Sequence, residues 1–119
     1  MKEIDPNGIN QHELGAKLDA GKPLSAEILG QFALALTEVA KIGTFGANKY
    51  TIGGWKHVKD GVIRYDNAAM RHFLKRHSGE EIDPDSGLLH MSHEAWNALA
   101  RLELYLQNDK VGANANSLE

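Results

Sequence analysis

Cysteine is absent from this 119-residue chain. Its absence excludes disulfides, thiolate nucleophiles and cysteine-type zinc sites, and it suits a reducing cytosol. No apolar run approaches the length of a membrane span. The first ten residues are polar and lack the apolar centre of a signal peptide. A strong excess of one charge is also missing. The formal charge of −3 argues against general nucleic-acid binding. The expectation is a cytoplasmic protein with no membrane partner.

A length of 119 residues suits one domain, and a hydrophobic fraction of 42% suits one modest core. Residues 1–24 read as an extended arm, with a turn at Asp5-Pro6-Asn7-Gly8. Residues 25–107 read as a helical domain, and residues 108–119 as a flexible tail. Ser25 is a good N-cap, and Ile28, Leu29, Phe32, Leu36 and Val39 recur at helical spacing after it. Gly43 and Gly46 interrupt or end that helix. A second helix is predicted from about Asp60 to His77, and a third from about Leu88 to Gln107. No strand is predicted. The fold class is all-α: a small bundle of three long helices with short connecting helices. Three such helices make a thin core, so a homo-oligomer is expected to complete the packing.

The segment Asp83–Asn97, DPDSGLLHMSHEAWN, concentrates the chemistry. On a helix, His90, His93, Glu94, Asn97 and Arg101 share one strip, because residues three, four and seven apart lie on one face. The opposite strip carries Leu88, Met91, Ala95, Leu99, Leu102 and Leu106. Solvent faces are usually Lys and Glu, whereas His with carboxylate suits metal binding and proton handling. His90 and His93 are spaced i, i+3, which is not the HExxH spacing of zinc proteases. The ordinary reading is a helix start whose histidines bond to the preceding loop.

Other candidates are weaker singly. Asp66 falls within an apolar stripe, where a carboxylate needs an arginine, a cap, a metal or an interface. Glu38 lies at the edge of the first stripe, where a solvated flank residue is the commoner fate. The oxygen-rich set Glu38, Asp66, Asp83 and Glu94 would favour Mg2+ or Mn2+ as cofactor. Between Lys49 and His77 there are seven Lys/Arg against two Asp. Lys17, Lys22, Lys49 and Arg71, with His72 beside it, could hold an anion. For any one of these lysines, plain solubility is the favoured reading. Tyr50 and Trp55 could stack on a base, and Trp55 could equally plug the core.

Taken in order, Gly15-x-Lys17-x-Asp19-x-Gly21-Lys22-Pro23, Gly46-Ala47-x-Lys49-Tyr50, Trp55, Ala69-Met70-Arg71-His72, and Gly79 to His93 with Asn97 resemble one phage and bacterial family. That family is the N-terminal domain of dATP/dGTP diphosphohydrolases, related to the MazG-like group. The resemblance covers about Gly15 to Leu104. It implies an all-α nucleotide pyrophosphohydrolase that binds Mg2+ on helix carboxylates and releases nucleoside monophosphate and pyrophosphate. It implies site roles for Glu38, Asp83, His90, His93 and Asn97, with Asp66 added from the helical reading. A phage-encoded copy would work in the host cytoplasm. The sequence departs from the MazG-like pattern at three places: Glu38 is followed by Lys41, Glu94 by Asn97, and Gly54 stands before Trp55. A nucleotide-sequestering protein without turnover is the alternative.

Overall fold

The structure, a computed structural model, describes residues 2–117, with side-chain surroundings for residues 2–108. By contacts the chain divides into two compact units, Met1–Ala33 and Leu34–Glu119.

The first unit is organised around one carboxylate. Buried Asp5 accepts backbone N–H groups from Asn7 (2.7 Å), Ile9 (3.4 Å) and Lys17 (2.8 Å). The Lys17 amide is the main reason its pKa lies below the usual value, since burial alone would push it up. The Ala20 N–H donates to the Ile4 carbonyl at 2.9 Å and closes the loop. Helix α1 follows at Ser25–Leu29, then a 3-10 turn at Gly30–Phe32. Ser25 is the first helical residue rather than its cap, and its hydroxyl turns back to the Pro23 carbonyl.

The second unit contains α2 (Ala33–Lys49), a 3-10 turn (Gly54–His57), α3 (Gly61–His77) and α4 (His90–Ser117). No strand occurs among the described residues; Ile82 and Leu89 form a single antiparallel bridge. The fold is all-α, as the periodicity implies. Asp60, in the left-handed region (φ 55°), turns the chain into α3, a conformation Asp tolerates better than most residues. Gly43 and Gly46 do not end α2, which runs on to Lys49. Gly43 is instead a point of close approach: a Cβ there would lie 3.1 Å from Trp96 Nε1.

Helices α3 and α4 run antiparallel. Gly61, which opens α3, lies under Leu104, and the far end of α3 brings His72 and Arg76 to the start of α4. Among the described residues α4 buries Ser92 and, at alternating spacings of three and four, His90, His93, Asn97, Ala100 and Leu104. That is the seam pattern of paired helices. The polar strip therefore faces inward, while Met91, Leu99, Leu102 and Leu106 are exposed. Trp55, Tyr65 and Trp96 close the seam's middle edge to face, with centroids 5.5–6.3 Å apart. The Tyr65 hydroxyl donates to the Trp55 carbonyl at 3.0 Å. Trp55 thus packs against the core, with its side chain half-buried. Helix α4 continues through Ser117, beyond the expected stop near Gln107; residues 118–119 lie outside the described residues.

Helix α2 is the counter-case. Only Ile42 on it is buried, and Leu34 is 88% exposed. The helical run Ser25–Lys49 reaches a mean hydropathy of 1.2 over 18 residues, enough by length and composition to cross a membrane. Alanine, glycine and threonine dilute its leucines, so the run does not stand out as one apolar block.

Candidate metal centre

The turn between α3 and α4 is built on Asp83. Its Oδ1 accepts the Asp85 N–H at 3.2 Å, and its Oδ2 accepts the Ser86 hydroxyl at 3.2 Å. The Asp83 N–H and carbonyl close the turn on Leu88 and Gly87, both at 2.8 Å. Gly87 sits at φ 72°, a conformation that only glycine adopts freely. The result is a buried carboxylate aimed at the first turn of α4.

Three imidazoles meet it. His90, with no exposed surface, has its Nδ1 2.8 Å from His72 Nδ1 and its Nε2 2.9 Å from Glu80 Oε1. His93 Nε2 lies 2.7 Å from Ser86 Oγ and 3.2 Å from Asp83 Oδ2. The His72 and His93 rings stack in parallel, with centroids 4.3 Å apart and planes at 7°. Phe45 of α2 covers the outer edge of His93. Ligand atoms of His72, Asp83 and His93 all lie within 4.8 Å of one another.

Burial, together with the neighbouring imidazoles, lowers His72 to about 4. Burial also lowers His93, although Asp83 pulls the other way. Burial would raise Asp83, but the Asp85 amide, His93 and the Ser86 hydroxyl outweigh it and hold the carboxylate below its usual range. At neutral pH the carboxylate of Asp83 is anionic and faces the neutral imidazoles of His72 and His93. That state suits cation binding and the handling of a water proton.

Of the residues singled out from sequence, Asp83, His90, His93 and His72 come together here. Asn97 supports them from behind, its amide donating to the His93 carbonyl at 2.8 Å. Lys49 stands at the rim, 2.7 Å from Asp85. Three expected metal carboxylates are not in the cluster. Glu38 pairs with Lys41 at 2.7 Å, and Asp66 pairs with Arg101 across the seam. Glu94 takes a two-pronged bridge from Arg76, at 2.7 and 3.0 Å, which holds its carboxyl below the usual range. Each carboxylate has found a cation instead, and Asp66 is exposed rather than set into an apolar stripe. Tyr50 and Arg71 are exposed. Lys17 and Asp19 are exposed in the first unit, where Lys22 pairs with Glu3 at 2.7 Å. Ser86 and Glu80 were not singled out from sequence. The D-x-x-S spacing before a helix was the available signal for Ser86, but nothing local links Glu80 to a histidine ten residues on.

Comparison with curated proteins and with solved structures returned no match. Comparison with protein families returned one, described as dATP/dGTP diphosphohydrolase, N-terminal, over residues 12–114. That span takes in all of α1–α3, the histidine cluster and most of α4, and the chain belongs to this family.

Proposed function

We propose that the chain is a hydrolase of purine deoxynucleoside triphosphates. Water attacks the α-phosphorus, the α–β phosphoanhydride breaks, and nucleoside monophosphate and pyrophosphate leave. The family description supports dATP and dGTP as substrates. The observation that carries the site is the convergence of His72, Asp83 and His93 from α3, the turn and α4. We assign water activation to this cluster. Lys49 supplies an ammonium at the rim, and a phosphate arriving beside Asp83 would take over its bond from Asp85. Arg71 adds a second cation one residue from His72, and exposed Tyr50 offers a face to the base. The nitrogen-rich donor set does not fit Mg2+, a hard ion that prefers oxygen ligands.

The test is release of pyrophosphate from dATP and dGTP by the full chain with a panel of divalent cations. Stoichiometric release that depends on His93 supports the reading. A second reading, binding without turnover, is favoured by one observation: Glu38 and Asp66 are engaged with Lys41 and Arg101. Tight nucleotide binding with the ligand recovered intact would select it.

We also infer a homo-oligomer in which α2 packs on a second copy. The support is the exposure of Leu34 and Leu36 on a helix with one buried residue. Leu34→Glu is expected to shift the mass measured by light scattering towards the monomer.

A further inference from the structure

The proton order of the histidine chain decides what the cluster can bind. Glu80 accepts a hydrogen bond, so His90 Nε2 carries a proton. In the tautomer with that proton on Nε2, His90 Nδ1 is a lone pair. Its partner at 2.8 Å, His72 Nδ1, must hold the proton of that bond. His72 Nε2 is therefore left as a free lone pair. A carboxylate that orients a histidine through its far nitrogen is the usual support behind a metal ligand; here it acts through one more imidazole.

We propose that His72, Asp83 and His93 form a binding site for one transition-metal dication, of the Mn2+, Co2+ or Zn2+ class, and not for Mg2+. The three ligand atoms lie within 4.8 Å of one another. Metal–ligand distances of about 2.1 Å require donors roughly 3–3.5 Å apart, so small side-chain rotations close the set. Two imidazoles and one carboxylate form a borderline donor set that transition metals prefer, and three protein ligands leave positions for water or a phosphate oxygen. His72 and His93 stack in parallel, so one ring must tilt before both lone pairs point at the same ion. A rival trio, Glu80, Asp83 and His90, uses the same carboxylate. Because Asp83 is shared, only one ion binds with full strength. The rival would also break the Glu80–His90 bond that sets the proton order.

This site is the one to which the hydrolysis above is assigned, but its test uses no nucleotide, so the two fail separately. The full chain is freed of metal with a chelator, then titrated calorimetrically with Co2+, Mn2+, Zn2+ or Mg2+ alone, and the visible spectrum of the Co2+ form is recorded. One Co2+ per chain is expected, with a ligand-field band that millimolar Mg2+ leaves in place. His93→Gln and half-buried His72→Gln should each abolish the band while the helical circular dichroism is retained. Glu80→Gln should weaken binding by about 10- to 100-fold. The proposal is overturned if no ion binds, if Mg2+ displaces Co2+, or if His93→Gln binds normally while Glu80→Gln loses the ion. Should His93→Gln fail to fold, the same criterion passes to His72→Gln.

Discussion

Two buried aspartates, Asp5 and Asp83, do similar structural work with different partners. Each anchors a loop, and each has its pKa held down by backbone amides. Asp5 is met by three main-chain N–H groups, from Asn7, Ile9 and Lys17. Those donors are fixed by the chain and cannot leave without undoing the loop. Asp83 is met by one amide, one hydroxyl and the edge of an imidazole. A hydroxyl rotates and an imidazole can exchange its proton for a metal, so Asp83 has partners it can give up. A buried carboxylate becomes chemically useful when its partners are side chains that can be replaced.

The largest expected effect tests that contrast directly. Asp83→Asn keeps a turn-forming side chain and removes the charge. Pyrophosphate release should fall by about 100-fold or more, the scale of losing a group that acts on the reacting atoms, while the thermal midpoint moves little. Turnover at the parent rate would make Asp83 a loop anchor of the Asp5 kind. Asp5→Asn is the paired control, and its effect should appear in the order of residues 5–17.

A smaller effect separates the cluster from its support. Leu104 is buried at the far end of the α3–α4 seam, against Gly61. Leu104→Ala should cost about 2–4 kcal/mol of stability, measured by urea unfolding. The thinness of the seam predicts the upper part of that range, because few neighbours can collapse into the space. Gly61→Ala should also destabilise, since its Cβ would lie 2.6 Å from Leu104 Cδ1.

The helices themselves were legible in the sequence. The start of α3 follows Asp60, and glycine, proline and aspartate mark the turn before α4. Which face of α4 is buried was not legible. Regular leucines at 99, 102 and 106 read as a core stripe, but α3 presents His72 and Arg76 to α4, and polar partners draw His90, His93 and Glu94 inward. Burial is decided by the neighbour, which spacing along one helix does not reveal. The same reason separates Asp83 from Glu38, Asp66 and Glu94. Asp83 stands in a loop signature beside the histidines it meets. Asp66 and Glu94 are claimed by arginines 35 and 18 residues away, and Glu38 by a lysine on its own helix.

The smallest expected effect concerns pH and the other aspartate. The folded pKa of Asp5 lies below its ordinary value of 3.8. Its contribution is therefore fully present above pH 3.8 and lost as the pH falls through the lower folded value. Proton exchange at the Lys17 and Asn7 amides, followed by nuclear magnetic resonance, reads this loop locally. Between pH 6 and pH 3, protection of both amides, corrected for intrinsic exchange, should decline in the parent chain. In Asp5→Asn it should start lower and stay flat, because one amide oxygen replaces only one of the two accepting carboxylate oxygens and carries no titrating charge. A parallel decline in both chains would mean that loop geometry rather than the carboxylate charge holds residues 5–17. The distinction drawn from Asp83 would then rest on the imidazoles alone.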